Sequence, residues 1–217
     1  LVRSRGLGDV YKRQIVMQRT LLELHGVPCI EMENAPQAKK QIIASRSFGQ
    51  KVYCKDDLKE AITLYVQDAV RRLRSEKQLC GCIIVFVQSN PFDSSQPFYK
   101  KSESFALSEP SDNSLVLSKI ATAMIDGLYK EDVAFKKCGV ILTCLESKEH
   151  HIYDMFTDMT HVELSDRLME SLDDIHKKFG KQKIAIGASM MPNRAWNMSR
   201  NRLSQNYFKW DQLLTIK

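Results

Sequence analysis

Between residues 41 and 146 the hydrophobic and polar positions follow two rhythms in turn. Ile42-Ile43-Ala44 opens a β-branched run that becomes polar through Ser45-Arg46-Ser47 and stops at Phe48-Gly49. Successive side chains of an extended chain point to opposite faces, so Ile43, Ser45 and Ser47 share one face and Ile42, Ala44, Arg46 and Phe48 the other. The period then changes to that of a helix, with Leu58, Ile62, Tyr65, Ala69 and Leu73 on one stripe. Asp57 and Glu60 stand in capping-box spacing at its start. Residues 82–87 are a continuous apolar run of strand length, as a covered strand requires. A weaker strand follows at 102–107. Pro110-Ser111-Asp112 is expected to start a second helix whose inner face holds Leu117, Ile120, Ala121, Met124 and Leu128. Lys136-Lys137 falls in the next loop, and residues 140–145 make a last strand.

The order over 41–146 is β-α-β-β-α-β. It predicts an α+β fold: a ferredoxin-like, four-stranded antiparallel sheet with both helices on one face. The open face of such a sheet is its natural binding surface. It would carry either the Ser45/Ser47 set or the Arg46 set, and the alternation permits both.

The flanks read differently. Residues 1–14 are basic and without hydrophobic period, and are expected to be a non-native leader. Residues 15–24 end a helix at His25-Gly26 with Pro28 beyond, and residues 31–40 form a polar tether. Residues 147–160 are a polar linker with isolated large side chains at Ile152, Tyr153, Met155 and Phe156. Residues 161–217 form a small C-terminal α+β extension. Its helix at 162–178 places Leu164, Leu168, Leu172, Ile175 and Phe179 on one stripe, with Gly180 after it. A short strand at 184–186 follows. The tail interleaves Arg194, Arg200, Arg202 and Lys209 with Trp196, Tyr207, Phe208 and Trp210. That interleaving suits base stacking with phosphate neutralisation, and equally a small domain covering its own core.

Composition narrows the chemistry. The chain has 217 residues, 43% hydrophobic and 27% charged, with a formal charge of +6, an ordinary globular balance with a modest basic excess. No apolar run has the length of a membrane span, and no signal-peptide pattern occurs. The six cysteines include no CxxC pair, and Cys144 with His150-His151 lacks ligand spacing, so reduced, mostly buried thiols in a cytoplasmic protein are expected, with no metal. No Gly-rich phosphate loop, nucleophile elbow or pair of catalytic carboxylates occurs. The Ser45-Arg46-Ser47 set suits phosphate contact, for which serine hydroxyls, strand amides and cations are the usual groups. Ser45, Arg46 and Ser47, with Lys51, Lys100 and Lys101, are the candidates. The alternative is an ordinary edge strand with a solvated Arg46, beside a helix whose Arg71, Arg72 and Arg74 are a solvated end.

Residues 31–40, Ile43-Ala44-Ser45-Arg46-Ser47-Phe48-Gly49, the helix to Arg74-Ser75-Glu76-Lys77, and Ser89-Asn90-Pro91-Phe92 resemble the little-finger domain of Y-family translesion DNA polymerases. Within that family they are similar to the UmuC-like catalytic subunits of DNA polymerase V. Arg202-Leu203-Ser204-Gln205-Asn206-Tyr207 and Asp211-Gln212-Leu213-Leu214 resemble the short C-terminal domain of the same proteins. The resemblance implies that residues 15–40 end the thumb and lead into a tether, and that residues 41–146 are a little finger. Its sheet would lie on template–primer duplex and grip the phosphate backbones. Catalytic carboxylates, binding magnesium, would sit in a palm domain with which nothing here aligns, so this stretch is expected to be inactive alone and to hold no cofactor. It further implies a clamp-binding peptide, here Ile152-Tyr153-Asp154-Met155-Phe156, without the family's leading glutamine. A UmuD-type accessory dimer and a recombinase filament are implied as partners. The rival reading is a free-standing ferredoxin-like module that binds protein or a metabolite.

Overall fold

Helix α1 (Leu7–Leu24) stops where the sequence closes it. The Gly26 N–H donates to the Glu23 carbonyl and the Val27 N–H to the Leu22 carbonyl, each at 3.0 Å, and Gly26 takes the φ of +83° that this closure requires. The helix extends back through residues 7–14, which the sequence pattern places in the leader. The structure, a computed structural model, describes residues 7–29, 39–93, 96–180, 183–184, 187, 194 and 196–197. The chain divides into two units, Leu1–Ala38, which contains α1, and Lys39–Lys217.

The second unit runs β1 (Ile42–Val52), α2 (Lys55–Ser75), β2 (Gln78–Ser89), β3 (Lys100–Ser111), α3 (Ser114–Leu128), β4 (Phe135–Ser147) and α4 (Met159–Phe179). The predicted β-α-β-β-α-β order is present. The strands lie side by side as β1-β4-β2-β3, each antiparallel to its neighbour. β1 and β2 therefore run parallel with β4 between them. The last strand splits the β1-α2-β2 unit, and β3 takes an outer edge.

One face of this sheet is the core. Ile42, Ala44 and Phe48 of β1, Ile83, Val85 and Val87 of β2, and Cys138, Val140 and Leu142 of β4 meet α2 and α3 there. The predicted α2 stripe of Leu58, Ile62, Tyr65, Ala69 and Leu73 is buried. On α3, Leu117, Ala121, Met124 and Leu128 are buried and Ile120 is partly so. Burial at roughly 25 cal/mol per Å² of apolar surface makes this two-layer contact the main source of stability.

Several element ends differ from the hydrophobic pattern. Lys136 and Lys137 lie inside β4 rather than in a loop, and Pro110-Ser111 closes β3 rather than opening α3. Asn113 caps α3, its side-chain oxygen accepting from the Leu115 and Val116 N–H groups at 2.8 and 3.4 Å. The Asp57/Glu60 capping box is not formed. α2 starts after Cys54 without a side-chain cap, and Glu60 is engaged elsewhere, by Arg194 at 2.9 Å and the Trp196 indole N–H at 3.3 Å. Trp196 itself is buried in the sheet–helix core, and the Gly49 N–H donates to the Asn197 carbonyl. Of the tail's two readings, covering a core is the one Trp196 takes. Residues 185–186 of the strand expected at 184–186, and the tail from 198 onward, lie outside the described residues.

α4 is attached by a mixed polar face. Asp173 accepts two hydrogen bonds from Arg74 at 2.6 and 2.8 Å, Asp166 accepts one from Lys148 at 2.7 Å, and Asn113 reaches Ser165 at 2.7 Å. Met169 is the buried apolar residue among them. Leu164, Leu168 and Phe179 of the predicted apolar stripe are exposed. Cys80 and Cys138 are buried, whereas Cys54 and Cys144 are exposed, so the thiols are not mostly buried. Burial pushes the Cys80 thiol up to about 11 and raises that of Cys138 as well. Among the described residues no helix is long and apolar enough to cross a membrane.

Candidate nucleic-acid interface

Strand register places the second face of the sheet residue by residue. Residues directly opposite in an antiparallel pair point to the same side. Ser47, Lys137, Gln88 and Lys100 form one row across β1, β4, β2 and β3. Ser45, Gly139, Phe86 and Ser102 form the next, and Ile43, Ile141, Ile84 and Ser104 the third. None of these residues belongs to the buried core that α2 and α3 cover. The face thus carries hydroxyls on both outer strands, an apolar middle, and lysines at one end.

Its relief is set by Gly139. A Cβ there would come within 2.4 Å of the Ser45 Cβ and 2.7 Å of the Phe86 ring. The missing side chain lets Ser45 and Phe86 close over the β4 backbone. Lys137 leans on that ring, its ammonium 5.8 Å from the Phe86 centroid. Lys137 escaped the sequence reading because the doubled lysines resemble a loop. The available signal was the step of two that joins Lys137, Gly139, Ile141 and Thr143.

The six candidate contacts do not share this face. Ser45, Ser47 and Lys100 lie on it. Arg46 is on the helix side, with its guanidinium 3.4 Å from Asp68 of α2. Lys51 pairs with Asp93 at 2.5 Å, and Lys101 donates to the Gly127 carbonyl of α3 at 2.6 Å. The arginines of α2 are likewise engaged rather than solvated. Arg71 pairs with Asp68, Arg72 donates to the Ile43 carbonyl at 2.9 Å, and Arg74 holds Asp173. Arg46, Arg71, Arg72 and Asp68 line a cavity of about 330 Å³ beside the β1 edge, a second concentration of positive charge.

In the linker, Ile152, Met155 and Phe156 are almost fully exposed. Tyr153 is half-buried, with its ring 4.5 Å from the His151 ring and edge-on to it. The Asp154 carbonyl accepts from the Thr157 N–H at 3.0 Å and closes a turn. Among the described residues no three His, Cys, Asp or Glu side chains converge in a way that could hold a metal ion.

Residues 39–155 match the impB/mucB/samB family C-terminal domain, and residues 166–216 match a domain of unknown function, DUF4113. Protein UmuC of Salmonella typhimurium (strain LT2) is 32% identical over 204 residues, 94% of this chain and 48% of that protein. Protein MucB of Escherichia coli is 33% identical over 193 residues, 89% of this chain and 45% of that protein. Protein ImpB of Salmonella typhimurium is 32% identical over 198 residues, 90% of this chain and 46% of that protein. The chain thus spans about half the length of these curated relatives. The little finger domain of PolIV, in its complex with the beta-clamp processivity factor, aligns at a TM-score of 0.38 and 13% identity. It covers 54% of this chain and 99% of that one, a likeness too slight to argue from. With more than half its length matched, this chain belongs to the impB/mucB/samB family and contains that family's C-terminal domain.

Proposed function

We propose that this chain is the duplex-gripping C-terminal part of a UmuC-type translesion DNA polymerase. Such an enzyme would be the error-prone polymerase V of the SOS response, acting in the cytoplasm. The observation that carries the reading is the open sheet face. Ser45, Ser47, Ser102 and Ser104 offer hydroxyls, and Lys137 and Lys100 offer charge, around a largely apolar floor in which Gln88 is the one carboxamide. Groups of this kind hold phosphates and sugars and carry no sequence information. An enzyme that copies damaged templates needs that indifference.

Polymerisation is proposed for the whole protein. The magnesium chemistry is proposed for a palm domain of the whole protein, and the part proposed for this chain is binding. Ile152, Met155 and Phe156 are proposed as the apolar contacts to a sliding clamp, with Asp154 between them. An accessory UmuD-type dimer and a recombinase filament are further proposed partners of the whole protein. Family membership does not favour the rival reading of a free-standing regulatory module.

The test is salt. Binding of a labelled primer–template duplex, followed by fluorescence anisotropy, is expected to weaken steeply between 50 and 200 mM salt, with a log–log slope near −0.9 for each phosphate contact. A flat salt response overturns the phosphate-gripping role.

A further inference from the structure

The turn that carries Ile152, Met155 and Phe156 has an unusual root. His151 is embedded, its side chain 8% exposed, although it sits in a polar linker. Its Nε2 lies 2.7 Å from Oε1 of Glu109 on β3, and its Nδ1 lies 2.7 Å from Oε1 of Glu146 on β4. The Nε2 contact to Glu109 has hydrogen-bond geometry, and Nδ1 lies within ion-pairing distance of Glu146. One imidazole therefore ties the linker to two strands that have β2 between them. Tyr153 packs edge-on against the same ring. At the far side of the turn, Asp158 caps α4 by accepting from the Thr160 N–H at 3.0 Å and the His161 N–H at 3.4 Å. Between these two ends a cavity of about 770 Å³ separates the linker from β3 and α3. The turn is held at its ends, not packed along its length.

Between those anchors Ile152, Met155 and Phe156 stand 89%, 87% and 86% exposed. We propose that His151 and Tyr153 are positioning residues that hold these three side chains as a preformed apolar tooth for the clamp-type partner. The proposal rests on the clamp reading above. A peptide that is ordered before it meets its partner avoids the ordering cost at binding, so the root contributes affinity without touching the partner.

The experiment uses the full chain and a purified bacterial sliding clamp as probe. Capture is measured on a biosensor, and amide hydrogen exchange is followed through the linker. His151→Ala is expected to weaken clamp capture roughly tenfold and to speed exchange around the turn, with duplex DNA affinity unchanged. His151→Arg, whose guanidinium can serve two carboxylates, is expected to restore most of both. Glu146→Ala, at a half-exposed partner, gives a milder loss and keeps the test available if His151→Ala does not fold. Unchanged capture by His151→Ala, where Met155→Ala/Phe156→Ala abolishes it, overturns the positioning role and leaves the clamp reading standing. If Met155→Ala/Phe156→Ala leaves capture intact, the clamp reading falls. Linker exchange then decides the root alone, and unchanged exchange in His151→Ala overturns it.

Discussion

Ser45 and Gly139 face each other across β1 and β4 with no room for another atom between them. Gly139→Ala must move either the Ser45 backbone or the Phe86 ring. It is expected to cost about 1–3 kcal/mol of stability, read from the urea midpoint at constant slope. The hydroxyls of Ser45 and Ser47 are instead the proposed phosphate contacts. Ser45→Ala/Ser47→Ala is expected to weaken duplex binding to a similar extent for unrelated sequences. Lys137→Ala is expected to lower the salt slope by about 1. Arg46→Ala, being turned toward Asp68, should do less in the same anisotropy titration. The alternation of residues 42–48 made the pairing of Ser45 with Ser47 legible. It did not say which face α2 would cover, because Ala44 and Ile43 are both apolar and only burial in the core chooses between them.

At the scale of elements, the two helices of the sheet layer were legible as apolar stripes, and α4 was not. Leu164 and Leu168 face outward while Leu172 is half-buried, and its attachment runs through Arg74–Asp173 and Lys148 with Asp112 and Asp166. Ion pairs leave no periodic mark in a sequence, and of the apolar stripe only Leu172 and Ile175 are partly buried. Arg74→Met would strand Asp173 in a largely buried place. It is expected to cost about 3 kcal/mol, concentrated in lost hydrogen-exchange protection of α4. Lys148 gives a pH signature. Burial disfavours its ammonium, but the carboxylates of Asp112 and Asp166 outweigh that and hold its pKa above the ordinary lysine value. The folded chain thus binds this proton more tightly than the unfolded one. Its stabilising effect is complete below about pH 10.4 and fades as pH rises through the folded-state value. The difference in Tm between the unsubstituted chain and Lys148→Met is expected to shrink above that pH.

For the molecule as a whole, element order was readable and strand order was not. Which neighbour β4 takes depends on pairings made far apart in sequence, and both central strands are equally apolar. The grip proposed for the assembled sheet is one of backbone contacts. Competition with duplexes of scrambled sequence should displace a labelled primer–template with affinities within about threefold of one another, since unread positions carry no mismatch cost. A strong preference for one duplex would show that side chains of this face reach base edges.

The buried indole of Trp196 has a consequence for how such chains can be exchanged. The two family descriptions divide the chain at 155 and 166, yet a residue of the second segment fills the core of the first. Recombination between relatives at that junction would place one lineage's tryptophan in another lineage's socket. Hybrids are therefore expected to be viable only where socket and side chain are inherited together. An expressed 39–155 piece would carry an indole-sized hole where the longer chain has a packed wall.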